Sequence, residues 1–243
     1  MTTRAEFMSR VRREVARAAG LFPATVSARP SDPAGAAEAV AGQLAERWPA
    51  ALQRFREEFE RVAGVLHVVP GWEAVPATVA EIARERGATR IVGWSEAALG
   101  ADPGPALRER GLEAVLEPDA IVDRAEAERL RAASAGAEIG LTGVDLAIAA
   151  TGTLVLLSGA GRPRSTSLLP EYHVAVFDRR ALVETLEQAG VILEAWHASG
   201  RTMSGSSITF ITGPSRTADI ELTLTRGVHG PREVHAIFLD PGA

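Results

Sequence analysis

The stretch Gly64–Trp94, GVLHVVPGWEAVPATVAEIARERGATRIVGW, sets the fold class. Val65–Val69 is a short apolar run rich in β-branched side chains, which suits a buried strand. The rhythm then changes: Ala74–Arg86 reads as a helix that stops at Gly87, where glycine ends a helix at little steric cost. Arg90–Val92 starts a second strand. Strand, helix and strand in such close succession form a βαβ unit, and such units build parallel sheets covered by helices.

Downstream the alternation continues. Gly100–Pro105 reads as a turn and Leu107–Arg110 as a short helix ending at Gly111; Leu112–Leu116 reads as a strand and Ile121–Ala133 as a helix. The second half is richer in strand. Ala137–Leu141, Val144–Ala149 and Thr153–Leu157 are apolar runs broken by Gly140, Gly143 and Gly152. Tyr172–Phe177 is a strand before a helix expected over Arg179–Ala189, and Ser206–Ile211 and Glu233–Leu239 complete the sheet. Asp219–Arg226 stays open between strand and helix: its Thr, Ile and Leu content suits a strand, its place after Gly-Pro-Ser a helix start. The expected fold is α/β, with three layers and a mainly parallel sheet.

Upstream the pattern is helical. Thr3 and Glu6 form a capping box, and Phe7, Val11, Val15 and Ala18 share one face. Residues 23–36 hold Pro23, Pro30, Pro33 and Gly35, a linker or surface loop. Over 36–63 the residues Trp48, Leu52, Phe55, Phe59 and Val62 make one apolar stripe, with Pro49 expected in the first turn of a second helix. Residues 1–62 are therefore expected to form a helical N-terminal extension, and 63–243 the α/β domain.

Composition narrows the function classes. The 243 residues carry a formal net charge of -5, which does not suit a nucleic-acid partner. With no cysteine, the chain cannot hold a disulfide, a thiol nucleophile or a Cys-ligated iron–sulfur cluster. All 26 basic residues are arginine, which removes Schiff-base and P-loop lysines. No secretory signal or membrane-length apolar run is present, so a cytoplasmic place is expected. There is no G-x-G-x-x-G and no G-x-S-x-G. His67, His173, His197, His229 and His235 show no zinc-binding helical spacing, and no metal is expected.

Three polar clusters interrupt the apolar runs. The first, Asp145–Thr153, is a buried strand running into the turn Thr151-Gly152-Thr153, two hydroxyls around a glycine that lets backbone approach a ligand; such a turn can equally satisfy only its own backbone. The second, Arg162–His173, brings Arg164, Ser167 and His173 before a strand, a set suited to carboxylate or phosphate. The third holds Gly213, Ser215, Arg216, Thr217 and Asp219, followed by His229 between two glycines. Its backbone N–H groups and Arg216 could form an anion nest, with Asp219 orienting Arg216, or the segment could be a structural corner. The first and third turns are expected to meet at one pocket at the ends of neighbouring strands, where open α/β sheets bind ligands.

Taken together, the segments IGLTGVDLAIAATGTLVLLSG (139–159), RPRSTSLLPEYHVAVF (162–177) and ITGPSRTADIELTLTRGVHGPREVHAIFLD (211–240) resemble the LUD (lactate-utilization domain) family in order and spacing. GPSRTADIE followed by GVHGPR is the most specific part. The resemblance implies a fold like the NagB/RpiA/CoA-transferase group and a place in bacterial oxidation of L-lactate to pyruvate beside iron–sulfur partner proteins. One position departs from the pattern: Ala150 stands where family members often carry an acidic residue before Thr-Gly-Thr.

Three functions are compatible with these residues. One is a subunit or accessory protein of lactate oxidation that binds a small anion and no redox cofactor, its iron–sulfur clusters being on partners. Another is a free-standing acyl- or phosphoryl-handling enzyme. The third is a non-catalytic, ligand-binding regulatory module.

Overall fold

A computed structural model describes residues 3–18, 30–200, 207–218 and 224–242. The chain divides into two compact units, Met1–Ser31 and Asp32–Ala243. The first holds helix α1 (Arg4–Ala18), started by the reciprocal Thr3–Glu6 capping box.

The second unit opens with α2 (Pro33–Arg61), capped by the Asp32 side chain on the Gly35 N–H. The expectation of two helices meeting at Pro49 is corrected: α2 runs through Pro49 unbroken. An interior proline forfeits a backbone hydrogen bond. Here the apolar stripe on both sides of it, with Val40, Leu44, Ala51, Phe55 and Phe59 buried, holds the helix together by tertiary packing. The unit boundary falls before α2, whereas the expected boundary lay after residue 62, and α2 shares the main hydrophobic core.

Six strands form the main sheet among the described residues: β1 (Val65–Val69), β2 (Arg90–Gly93), β3 (Glu113–Leu116), β4 (Ile139–Gly143), β7 (Tyr172–Asp178) and β12 (Glu233–Leu239). Their order is β1-β12-β7-β4-β2-β3, with every pairing parallel. Alternate residues of β12 face opposite layers. On one side Phe238 stacks with Trp48 of α2, and Phe177 meets Phe55 edge-on. On the other, Glu233 pairs with Arg86 of α3 (Val75–Arg86), whose C-cap is the left-handed Gly87. The mainly parallel, helix-covered sheet is thus as expected from the βαβ pattern. No helix among the described residues is long and apolar enough to cross a membrane.

A second sheet was not expected. β5 (Leu146–Ile148), β6 (Thr153–Ser158), β8 (Leu182–Val183) and β9 (Ser207–Ile211) pair in the order β8-β5-β6-β9, with β5, β6 and β9 antiparallel. β10 (Arg216–Ala218) and β11 (Leu224–Arg226) form a separate hairpin, so the strand reading holds for the end of 219–226, while residues 219–223 lie outside the described residues. The helix expected over Arg179–Ala189 is also corrected. Asp178 accepts from the Arg180 N–H and starts a single 3-10 turn; Leu182–Val183 then joins β5. Helix α7 (Leu186–Ala198) begins only where Thr185 caps the Gln188 N–H. Helices α4 (Glu96–Leu99), α5 (Gly104–Glu109) and α6 (Arg124–Gly136) complete the described helices. The last starts later than expected because Asp123 caps it through Glu126 N–H.

Candidate functional site

The Thr151–Thr153 turn lies beside Thr212 and Gly213 at a helix end, and of the Ser215–Thr217 turn expected to meet it at a pocket only Arg216 reaches that end. Antiparallel pairing of Leu154 with Ile211 brings Thr153 beside Thr212. The hydroxyls of Thr151, Thr153 and Thr212 form a chain with spacings of 2.7 and 2.8 Å. Gly152 (φ 58°) and Gly213 (φ 76°) are left-handed. A Cβ on Gly152 would lie 2.4 Å from the Phe59 nitrogen, and one on Gly213 2.4 Å from the Val62 oxygen. Arg216 donates to that same Val62 carbonyl at 2.6 Å. All these groups therefore close around the carboxyl end of α2. A helix carboxyl end presents unpaired carbonyls and partial negative charge, which suits a guanidinium and opposes an anion.

The remaining nominated residues are spread out. The Ser215 N–H donates to Pro231 O, and its hydroxyl accepts the His229 N–H at 3.4 Å, so both belong to the corner under the β10–β11 hairpin. Thr217 pairs with Thr225 in that hairpin, whereas Asp219 and Glu221 lie outside the described residues. Arg164 and Ser167 bound a 3-10 turn (Arg164–Ser167) that crosses β4, where Ser167 Oγ donates to Arg164 O. His173 is fully buried with Nε2 2.9 Å from Thr142 Oγ1. Burial, then the nearby His235, pushes its pKa down to about 3, so it is neutral at physiological pH.

A cavity of about 600 Å³ opens elsewhere, at the carboxyl ends of β4, β7 and β12. Its polar groups are Asp145, Arg162, Asp178 and Arg180; Trp72 and Trp196 are among its apolar walls. The position follows from topology. The chain leaves β2 toward β3 on one side and leaves β4 toward β7 on the other. The following loops diverge there, which is where open α/β sheets form ligand crevices. Trp94 follows β2 and Asp145 lies just past β4, so both sit at this switch point.

Asp145 is well anchored. One oxygen accepts the Leu157 N–H at 2.8 Å, and the other accepts from Arg162 at 3.0 Å. Arg162 also lies over the Trp94 ring, 5.0 Å from its centroid. The Asp145 side chain is 2% exposed but that of Arg162 27%. The acid is thus interior and its arginine reaches the cavity. A guanidinium has five N–H donors in a planar fork, and the bond to Asp145 engages one nitrogen, so the arrangement can orient a second carboxylate. At the opposite wall Asp178 binds Arg180. Burial pushes the Asp178 carboxyl up, but hydrogen bonds from the Arg180 side chain and N–H outweigh it and hold the group below the usual carboxylate range.

Asp145 and Arg162 open the first and second polar clusters but were not among the nominated site residues, and residues 72, 178, 180 and 196 belong to no cluster singled out in the sequence. The available signal was positional: Asp145 and Asp178 lie at the carboxyl ends of apolar strands.

The LUD domain model matches residues 52–239. Lactate utilization protein C of Halalkalibacterium halodurans is 38% identical over 152 residues, 62% of each chain. The protein of that name from Geobacillus sp. strain WCH70 is 33% identical over 174 residues, 67% of each chain, and that from Bacillus subtilis 42% over 95 residues, 39% of each. The chain thus spans under two thirds of the first of these relatives. The crystal structure of a DUF162 family protein from Deinococcus radiodurans superposes with a TM-score of 0.54 at 23% identity, covering 79% of this chain and 98% of that one, a likeness of fold. With the model matched from within α2 to the end of β12, the chain belongs to the LUD domain family.

Proposed function

We propose that the chain serves lactate utilization, binding a small carboxylate such as L-lactate or pyruvate at Arg162 and working with iron–sulfur partner proteins that carry the electrons. The observation that carries this reading is the Asp145–Arg162–Trp94 arrangement beside the 600 Å³ cavity. Asp145 fixes the fork, Trp94 supports its face, and the cavity gives access. The relatives' name, lactate utilization protein C, supplies the substrate class.

Conversion of L-lactate to pyruvate removes the C2 hydrogen and the hydroxyl proton, two electrons and two protons in all. A chain of 243 residues without cysteine has no thiolate to hold an iron–sulfur cluster. In this reading the electrons go to an acceptor on another protein, and this chain's own residues bind and orient the carboxylate. Lactate-dependent reduction of an electron acceptor, measured in a reconstituted mixture of the system's proteins, tests this. Omitting the chain, or supplying Arg162→Gln, should lower the rate at least about tenfold, the loss of one charged hydrogen bond. An undiminished rate without the chain contradicts the proposal. Turnover of an acyl or phosphoryl substrate by the isolated chain would favour the free-standing enzyme instead.

A further inference from the structure

A second pocket, of about 390 Å³, lies at the carboxyl ends of β2 and β3. Its walls include Ser95, Glu96, Asp102, Arg108, Glu117 and Asp119, four carboxylates against one guanidinium. Most of these groups are committed. Asp119 accepts from Ser95 Oγ at 2.6 Å, Asp102 accepts from the Gly104 N–H at 2.9 Å, and Arg108 donates to the Ala114 carbonyl at 3.2 Å. Glu117 differs. It is only 8% exposed, yet its carboxyl forms no hydrogen bond or ion pair with any described residue. Its oxygens open on the pocket, and a largely covered carboxylate that no protein group pairs costs free energy. Burial, then the charge of Glu126, pushes this carboxyl up, which is how an uncompensated acid responds.

We propose that this pocket binds an organic cation, an ammonium or guanidinium group, with Glu117 as its counter-ion. Three further observations fit that class. The pocket has room for a small amine. No group of three acidic or histidine side chains among the described residues is arranged to hold a metal ion. The surplus of carboxylates excludes an anion, so the site is distinct in chemistry from the cavity at Arg162. The cation supplies the partner that Glu117 lacks, and Asp119, already fixed by Ser95, adds a second negative group to the wall. The cationic group could come from a free amine or from an arginine or lysine side chain of another protein, and the chemistry is shared.

Titration calorimetry and thermal melts of the full chain test the site with two probes. Agmatine presents a free cation, and blocked Gly-Arg-Gly presents the same group on a peptide. Saturable binding of at least one is expected, with the affinity lowered at least tenfold in Glu117→Gln. In the absence of probe the same variant should melt at a higher temperature than the parent, because it removes an unpaired charge; a merely structural glutamate would give the reverse. Binding of the peptide alone identifies a protein side chain as the source. Should Glu117→Gln fail to fold, Asp119→Asn must show the weakened binding. No saturable binding of either probe at millimolar concentration, or equal affinity in the variant, overturns the proposal.

Discussion

Asp145 and Arg162 join the loop after β4 to the loop after β6 across 3.0 Å, and the pair sits where the main sheet reverses its order. The carboxylate is interior and the guanidinium only partly so. Asp145→Asn removes the charge but keeps the shape, leaving Arg162 without its counter-ion. The expected cost is about 1–3 kcal/mol, below that of a fully buried pair because solvent screens Arg162. Urea unfolding of the variant measures it.

Arg216 is expected to act on stability. Its donation to Val62 O ties the β10–β11 hairpin to the carboxyl end of α2. Arg216→Ala should lower stability by about 0.5–1.5 kcal/mol, or roughly 1–6 °C in Tm for a chain of this size. Lactate affinity should be unchanged, since Val62 lies outside the residues that line the cavity. A calorimetric titration of the variant checks both parts.

Gly152→Ala should be more damaging. Its Cβ would meet backbone atoms of Phe59 in α2, which cannot rotate away, and φ is 58°. Overpacking and the left-handed backbone together are expected to cost about 2–4 kcal/mol. Thermal melts give the value, and loss of less than 1 kcal/mol would show that α2 yields locally.

Acid should destabilise the fold through its buried histidines. Burial holds His173 at about 3; His235, held down by burial and then by His67, lies at about 4. Both values are below the ordinary value of 6.5. As pH falls through about 6.5 the unfolded chain takes up protons that the folded chain refuses. Stability is therefore complete above that pH and declines down to the folded pKa values, with a slope of up to about 1.4 kcal/mol per pH unit for each histidine. Melts between pH 7.5 and 5 should show the decline, and His235→Gln should flatten it.

The main sheet was legible because its signals are local. Val65–Val69 and Glu233–Leu239 are short apolar runs, and Gly87 ends α3 as a glycine C-cap should. The second sheet was not. β6 is buried at every position, so its pattern matches that of a parallel central strand and carries no sign of its antiparallel partners. α7 was misplaced because residues 179–189 hold no Gly or Pro to mark a break, whereas the effective cap is Thr185. The turns at Thr151–Thr153 and Ser215–Thr217 were expected to meet at one pocket; Thr153 instead meets Thr212, and of the second turn Arg216 reaches the end of α2, a contact between residues far apart in sequence. Asp145, Arg162 and Glu117 gain their character from burial and partners, which composition does not encode.

The most direct measurement of the central claim uses the protein's own indoles. Trp72 and Trp196 line the cavity and Trp94 lies under Arg162, while the fourth, Trp48, stacks on Phe238. Titration of L-lactate or pyruvate, followed by tryptophan fluorescence, should give a saturable change in the parent chain. In Arg162→Gln the affinity should fall by about 10- to 150-fold, equivalent to about 1.5–3 kcal/mol for one charge-assisted hydrogen bond, while far-ultraviolet circular dichroism stays unchanged. A folded Arg162→Gln chain that responds to lactate and pyruvate with the parent's affinity, or a parent chain with no saturable response to either, would contradict the account.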